Sequence, residues 1–135
     1  MEGCLLSIRG HVVRGDGRGR RIGFPTANVQ IDNAAGLVAD LELGVYAATV
    51  QVGASEWYRA VANWGRRPTF VPDGKAILEL HIIDFCEDIY GCSLQVELID
   101  FLRPEQAFSS AESLKEQIAR DIGRVEQIIK NTSEE

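Results

Sequence analysis

Five short runs of β-branched, aromatic and leucine residues, each bounded by Gly, Pro, Asp or Asn, constrain the fold of this chain more than any other feature. They are residues 4–13 (CLLSIRGHVV), GVYAATVQV from Gly44, WYRAVANW from Trp57, AILELHIIDF from Ala76 and SLQVELIDFL from Ser93. Runs of that composition between turn formers read as strands. ANVQI, from Ala27, supplies a sixth. Several runs are apolar on both alternating faces, as in HIIDF, where a half-exposed meander would alternate apolar with polar. A closed or nearly closed barrel accounts for that pattern.

The period then changes. Leu114, Ile118, Ile122, Val125 and Ile129 step by four, four, three and four, which draws one apolar stripe along a helix. Ser109 with Glu112 three residues on is a capping-box pattern, so the helix is expected from about residue 110 to 130. The whole is a single domain over 1–135, with the barrel at about 4–103 and a connection at 102–108. At 135 residues, 45% hydrophobic and 25% charged, the chain is long enough to bury a core without staples. Cys4, Cys86 and Cys92 lack the close spacing that zinc or redox chemistry favours, and read as plain thiols. Arg9 comes too early for a signal-peptide core, and no apolar run approaches the roughly 18 residues that span a bilayer, so the expectation is a cytoplasmic protein that does not enter a membrane.

A net charge of -6 argues against nucleic acid as the main partner, since affinity for a duplex comes chiefly from Lys and Arg neutralising phosphates. Residues 14–29, RGDGRGRRIGFPTANV, are locally the opposite, with glycines at 15, 17, 19 and 23 and arginines at 14, 18, 20 and 21. Glycines there let the backbone approach a ligand and turn amide N–H groups toward phosphate oxygens. The alternative is a solvated hairpin loop. The proline at 25 pushes the preceding residue into an extended conformation, so Thr26 and Asn28 project from one face. A hydroxyl and an amide oxygen beside a phosphate-cradling loop suit Mg2+, or else they bond the backbone of a turn.

In LELHIIDF, period-two counting groups Glu79 and His81 with Ile77, Ile83 and Phe85 on an otherwise apolar face. Glu79 is then either a general base or a carboxylate held by an arginine. Asp84, Glu87 and Asp88 surround a turn ending at Tyr90, and FLRPEQAF breaks strand from helix with a proline, giving a flap with an aromatic tip or a plain connection.

In order and spacing, GHVVRGDGRGRRIGFPTAN, GVYAATV, VANWGRRPTF, LELHIIDF, DIYG, FLRPEQAF and SSAESLKEQIARDI resemble the riboflavin kinases of bacteria and eukaryotes. The match runs from about Gly10 to Ile122. The resemblance implies a six-stranded antiparallel Greek-key barrel with a C-terminal helix, and conversion of riboflavin to FMN with ATP and Mg2+, or Zn2+ in some members. The protein is expected to be a monomer acting on small molecules, with a flavin- or nucleotide-binding barrel without turnover as the alternative. By that resemblance, Gly15, Gly17 and the loop through Arg21 cover the ATP phosphates, and Thr26 and Asn28 hold metal and phosphate. Glu79 is the catalytic base; Ile82, Asp84 and Tyr90 hold the nucleotide; Arg103, Gln106 and Phe108 close over the flavin. Trp64 and Arg66 depart from the pattern, standing where many members have a smaller aliphatic residue and a threonine. Many bacterial relatives carry an N-terminal adenylyltransferase domain, and because the match starts within ten residues of Met1, FAD synthesis is not expected of this chain.

Overall fold

A computed structural model describes residues 5–13, 26–32, 41–66, 76–85 and 87–130. The six expected strands are all present: β1 (Leu6–Val13), β2 (Ala27–Ile31), β3 (Gly44–Val52), β4 (Trp57–Arg66), β5 (Ala76–Ile82) and β6 (Ser93–Arg103), followed by the helix α1 (Ala111–Ile128). They close into a barrel in the order β1-β2-β5-β4-β3-β6, every pair antiparallel. β3, β4 and β5 form a meander, and the chain then crosses over to β6, which lies beside β3 and so makes the Greek key.

Alternation along the strands divides two apolar clusters. Ile8, Val29, Tyr46, Val50, Leu78, Leu80 and Leu98 point into the barrel and fill it. Burying each of the large ones stabilises by roughly 1.5–3 kcal/mol. Val45, Ala47, Val61, Ile83 and Leu102 point outward and are covered by Val125 and Ile129 of α1. The two-faced apolarity of the sequence thus has a different cause from barrel closure alone. In β3 the run Gly44–Val50 is buried on both sides because the helix lies across the outside. In HIIDF, Ile82 and Phe85 belong to the inner cluster and Ile83 to the outer one, so Phe85 does not share a face with Ile83 as period-two counting has it. The strand has ended by then: Asp84 takes φ 60° and resets the alternation.

β6 carries two irregularities. Its register against β3 skips between Val45 and Tyr46 and again between Ala47 and Ala48, which leaves Leu102 and Ile99 as the extra residues. Both join the outer cluster. The bulges turn two additional side chains toward α1, a use of bulges seen where a strand must re-aim its side chains.

The helix starts one residue later in its capping than the sequence pattern says. Ser110, not Ser109, is the N-cap, its hydroxyl accepting from the Ser113 N–H at 3.1 Å, while the Ser113 hydroxyl donates back to the Ser110 carbonyl. Serine at both positions keeps the local motif ambiguous; packing of the stripe decides it. Trp64 enters the inner core and donates its indole N–H to the Leu41 carbonyl at 3.2 Å. Among the described residues, no helix is long and apolar enough to cross a membrane.

Candidate active site

The site is assembled by strand register. Glu79 of β5 stands directly opposite Asn28 of β2 on one side and Asn63 of β4 on the other. The same line continues from Asn63 to Val45 of β3 and from Val45 to Arg103 of β6. Directly opposed residues share a face, and Val45 belongs to the outer cluster, so the whole line lies on the outside of the barrel. Glu79 and both asparagines are half-buried. The face around Glu79 is therefore polar, flanked by two amides, rather than the apolar side the sequence predicts.

From Glu79 to Arg103 is three strand spacings, about 14 Å at the usual separation of neighbouring strands. Val45 is 3% exposed beneath α1, so the open part of the line runs from Asn28 through Glu79 to Asn63, and the 104–108 segment borders it at Gly65. That segment folds back toward the line. Its Glu105 carboxylate lies against Gly65, at the place a Cβ would take, on the outward-facing position of β4 next to Asn63.

Arg103 has most of its donors engaged. Its Nε and Nη2 form a two-pronged pair with Asp121 of α1 at 3.0 and 2.8 Å, and Nη1 donates to the Pro104 carbonyl at 3.3 Å. The guanidinium lies over the Phe108 ring, 5.8 Å from its centroid. Asp121 is 1% exposed and accepts a further bond from Gln117 Nε2 at 3.0 Å. Arg124 donates to the Leu102 carbonyl at 2.9 Å, a second tie between α1 and the end of β6.

The remaining expected residues fall in several places. Gly15, Gly17 and Arg21 lie outside the described residues. Thr26 is exposed immediately before β2, two residues from Asn28. Ile82 is buried in the inner core at the end of β5, so only its backbone faces outward chemistry. Asp84 is exposed in the turn that follows, and Tyr90 is 55% exposed in the crossing connection, where Asp88 accepts its backbone N–H at 3.1 Å. Gln106 is exposed. Asn63 and Asp121 were missed by the sequence reading. Asn63 sits in VANWGRRPTF with nothing local to mark it, and only its pairing with Glu79 gives it meaning. Asp121 carried a signal, a carboxylate four residues before Val125 on the helix's apolar side.

Among the described residues, no group of three or more His, Cys, Asp and Glu side chains is placed to hold a metal ion. A hydroxyl, an amide oxygen and a neighbouring carboxylate fit Mg2+ nonetheless, since that ion keeps several waters and uses one or two protein oxygens together with substrate phosphates.

A Greek-key barrel with a polar line on its outer wall and a helix-anchored segment beside it presents a candidate small-molecule site on a sheet surface rather than inside a barrel. The chain belongs to the riboflavin kinase family: the family model described as "Flavokinase: Riboflavin kinase" matches residues 3–129. It is 41% identical over 124 residues to the riboflavin kinase of Mus musculus, covering 90% of this chain and 79% of that protein. It is 45% identical over 119 residues to the bifunctional riboflavin kinase/FMN adenylyltransferase of Escherichia coli, covering 88% of this chain and 36% of that protein. The chain thus spans little more than a third of the length of the bifunctional relatives it matches. The crystal structure of riboflavin kinase from Trypanosoma brucei has the same fold, with a TM-score of 0.71 at 21% identity over 94% of this chain and 78% of that one.

Proposed function

We propose that this protein transfers the γ-phosphoryl group of ATP to the ribityl 5'-hydroxyl of riboflavin, giving FMN and ADP. The observation that carries the reading is the direct pairing of Glu79 with Asn28, which brings a carboxylate beside the amide that follows Thr26 in the Pro-Thr-Ala-Asn run. Glu79 accepts the hydroxyl proton as the ribityl oxygen attacks phosphorus in line and the bond to the ADP oxygen breaks. Such transfers ask little covalent work of a protein and depend on position and counter-charge.

Thr26 and Asn28 would hold Mg2+ on the phosphates, where it would neutralise charge on the phosphoryl oxygens. Asn63, on the other flank of Glu79, orients the carboxylate or the ribityl chain through its amide. Pro104–Phe108 covers the flavin ring, with Phe108 as the aromatic surface. The glycine-arginine loop at 14–21 supplies positive charge to the triphosphate in this reading.

Purified protein with riboflavin, ATP and Mg2+, its products separated and read by flavin fluorescence, tests the proposal. FMN and ADP are expected in equal amounts. Riboflavin binding without any FMN would instead mark a flavin-binding barrel that does not turn over.

A further inference from the structure

We infer that Asp121 is a positioning residue for the flavin end of the site: through Arg103 it fixes the 104–108 segment, and with it the Phe108 ring, in the arrangement that receives the flavin. This deepens the riboflavin kinase reading and rests on it for the identity of the ligand.

Asp121 is 1% exposed and four residues from Val125, which is fully buried, so both lie on the side of α1 that covers the barrel. A helix needed only as a cover would carry an apolar residue at 121, because replacing a buried ion pair by well-packed apolar groups is often neutral or stabilising. What the pair supplies is direction. The Arg103 fork accepts one orientation when both of its parallel N–H groups meet one carboxylate, and Gln117 holds that carboxylate by a third bond.

The orientation matters because the same guanidinium touches both ends of the segment. Nη1 bonds the carbonyl of Pro104, its first residue, and the planar face lies over the ring of Phe108, its last. Arg103 is thus a bracket whose rotation moves the segment's two ends together. Its N–H edge is turned to the helix, so its effect on the flavin passes through Phe108. The bulge at Leu102 is what aims Arg103 at α1, and the bond from Arg124 to the Leu102 carbonyl holds the bracket's root.

Asp121→Asn keeps the shape and removes the charge that orients the fork. With the segment correctly placed in a smaller fraction of molecules, the apparent affinity for riboflavin falls by that fraction; a rise of about tenfold in riboflavin KM is expected, with the KM for ATP changed by less than about threefold. Arg103→Met should give the same riboflavin shift, and Asp121→Asn should add little to it, since residues acting as one unit are not additive. A purely structural pair would lower the melting temperature and leave folded protein with an unchanged riboflavin KM, or give additive effects; either result overturns the inference. If Asp121→Asn does not fold, Gln117→Met, which removes one bond to Asp121 from a half-exposed position, should raise riboflavin KM in the same direction by a smaller factor, and an unchanged value overturns it. Quenching of riboflavin fluorescence reports Kd without turnover. Wild-type protein that binds riboflavin and makes no FMN defeats the kinase reading while the Kd shift in Asp121→Asn still decides this one; wild-type protein that makes FMN, with no shift in the variant, defeats only this one.

Discussion

Glu79 is placed by pairing rather than by deep burial, and that decides how its role is tested. It stands half-buried between two asparagines whose side chains share its face. Glu79→Gln keeps the shape and removes proton affinity, so turnover should drop by roughly two to four decades, the usual contribution of a positioned acid or base, while riboflavin and ATP still bind. A variant within about threefold of wild type per folded molecule is too active for a lost general base. Asn28→Ala removes an oxygen from one side of the same carboxylate. It should leave the barrel folded and weaken Mg2+-dependent ATP binding, because near-octahedral Mg2+ tolerates a missing ligand poorly. If the melting temperature collapses while residual folded protein binds MgATP normally, Asn28 serves only the packing of β2 against its neighbours and the metal assignment fails.

At the scale of strands and helix, two glycines show how differently the same substitution acts. Gly10 in the middle of β1 faces the barrel interior so closely that a Cβ would run into the Gln30 carbonyl and the Val29 side chain of β2. The obstacle is backbone held in register from Gly10–Ile31 to Val13–Asn28. Gly10→Ala should cost about 1–3 kcal/mol, the usual penalty of overpacking, seen as a lower denaturant midpoint at unchanged slope. Gly65 on β4 would also meet a close neighbour, yet that neighbour is the end of the Glu105 side chain, which swings away. Gly65→Ala should therefore keep stability within about 1 kcal/mol of the parent, since alanine also spares the backbone entropy glycine loses in a strand. Equal losses in the two variants would contradict this picture of what each glycine faces.

For the molecule as a whole, Tyr46 in the inner core is a group whose ionisation opposes folding. Tyr46 is 2% exposed, donates its hydroxyl to the Glu42 carbonyl at 2.6 Å and packs edge-on against Phe101. Burial, then the Glu42 carboxylate, push its pKa above the ordinary 10.0. A raised folded value means the neutral phenol is favoured in the native state, so the contribution is complete below about pH 10 and is lost as pH rises beyond it, where the unfolded chain binds fewer protons. Tyr46→Phe, lacking the hydrogen bond, should be the less stable protein at pH 8 and should lose stability less steeply above pH 10, so the two curves approach each other. Parallel curves in urea unfolding across that range would show that Tyr46 does not carry the alkaline loss.

Composition and short-range period were enough to locate all six strands and the helix, because turn formers, alternation and helical stripes are local properties of a chain, and the Pro-Thr-Ala-Asn run and Glu79 supplied the residues on which the proposed chemistry rests. Which face of β5 carries Glu79 was not local. It followed from closure of the barrel and from α1 covering the outside of β3, β4 and β6, which makes a run apolar on both sides without both sides lining one core. Asn63 became visible only when register set it opposite Glu79, sixteen residues away along the chain. The two bulges of β6 left no mark in a run that alternates well enough on paper, yet they turn Leu102 toward the helix and Arg103 toward Asp121. Register and bulges are fixed by the competition of many distant pairings for the same buried surface, and a single strand's residues do not contain that competition.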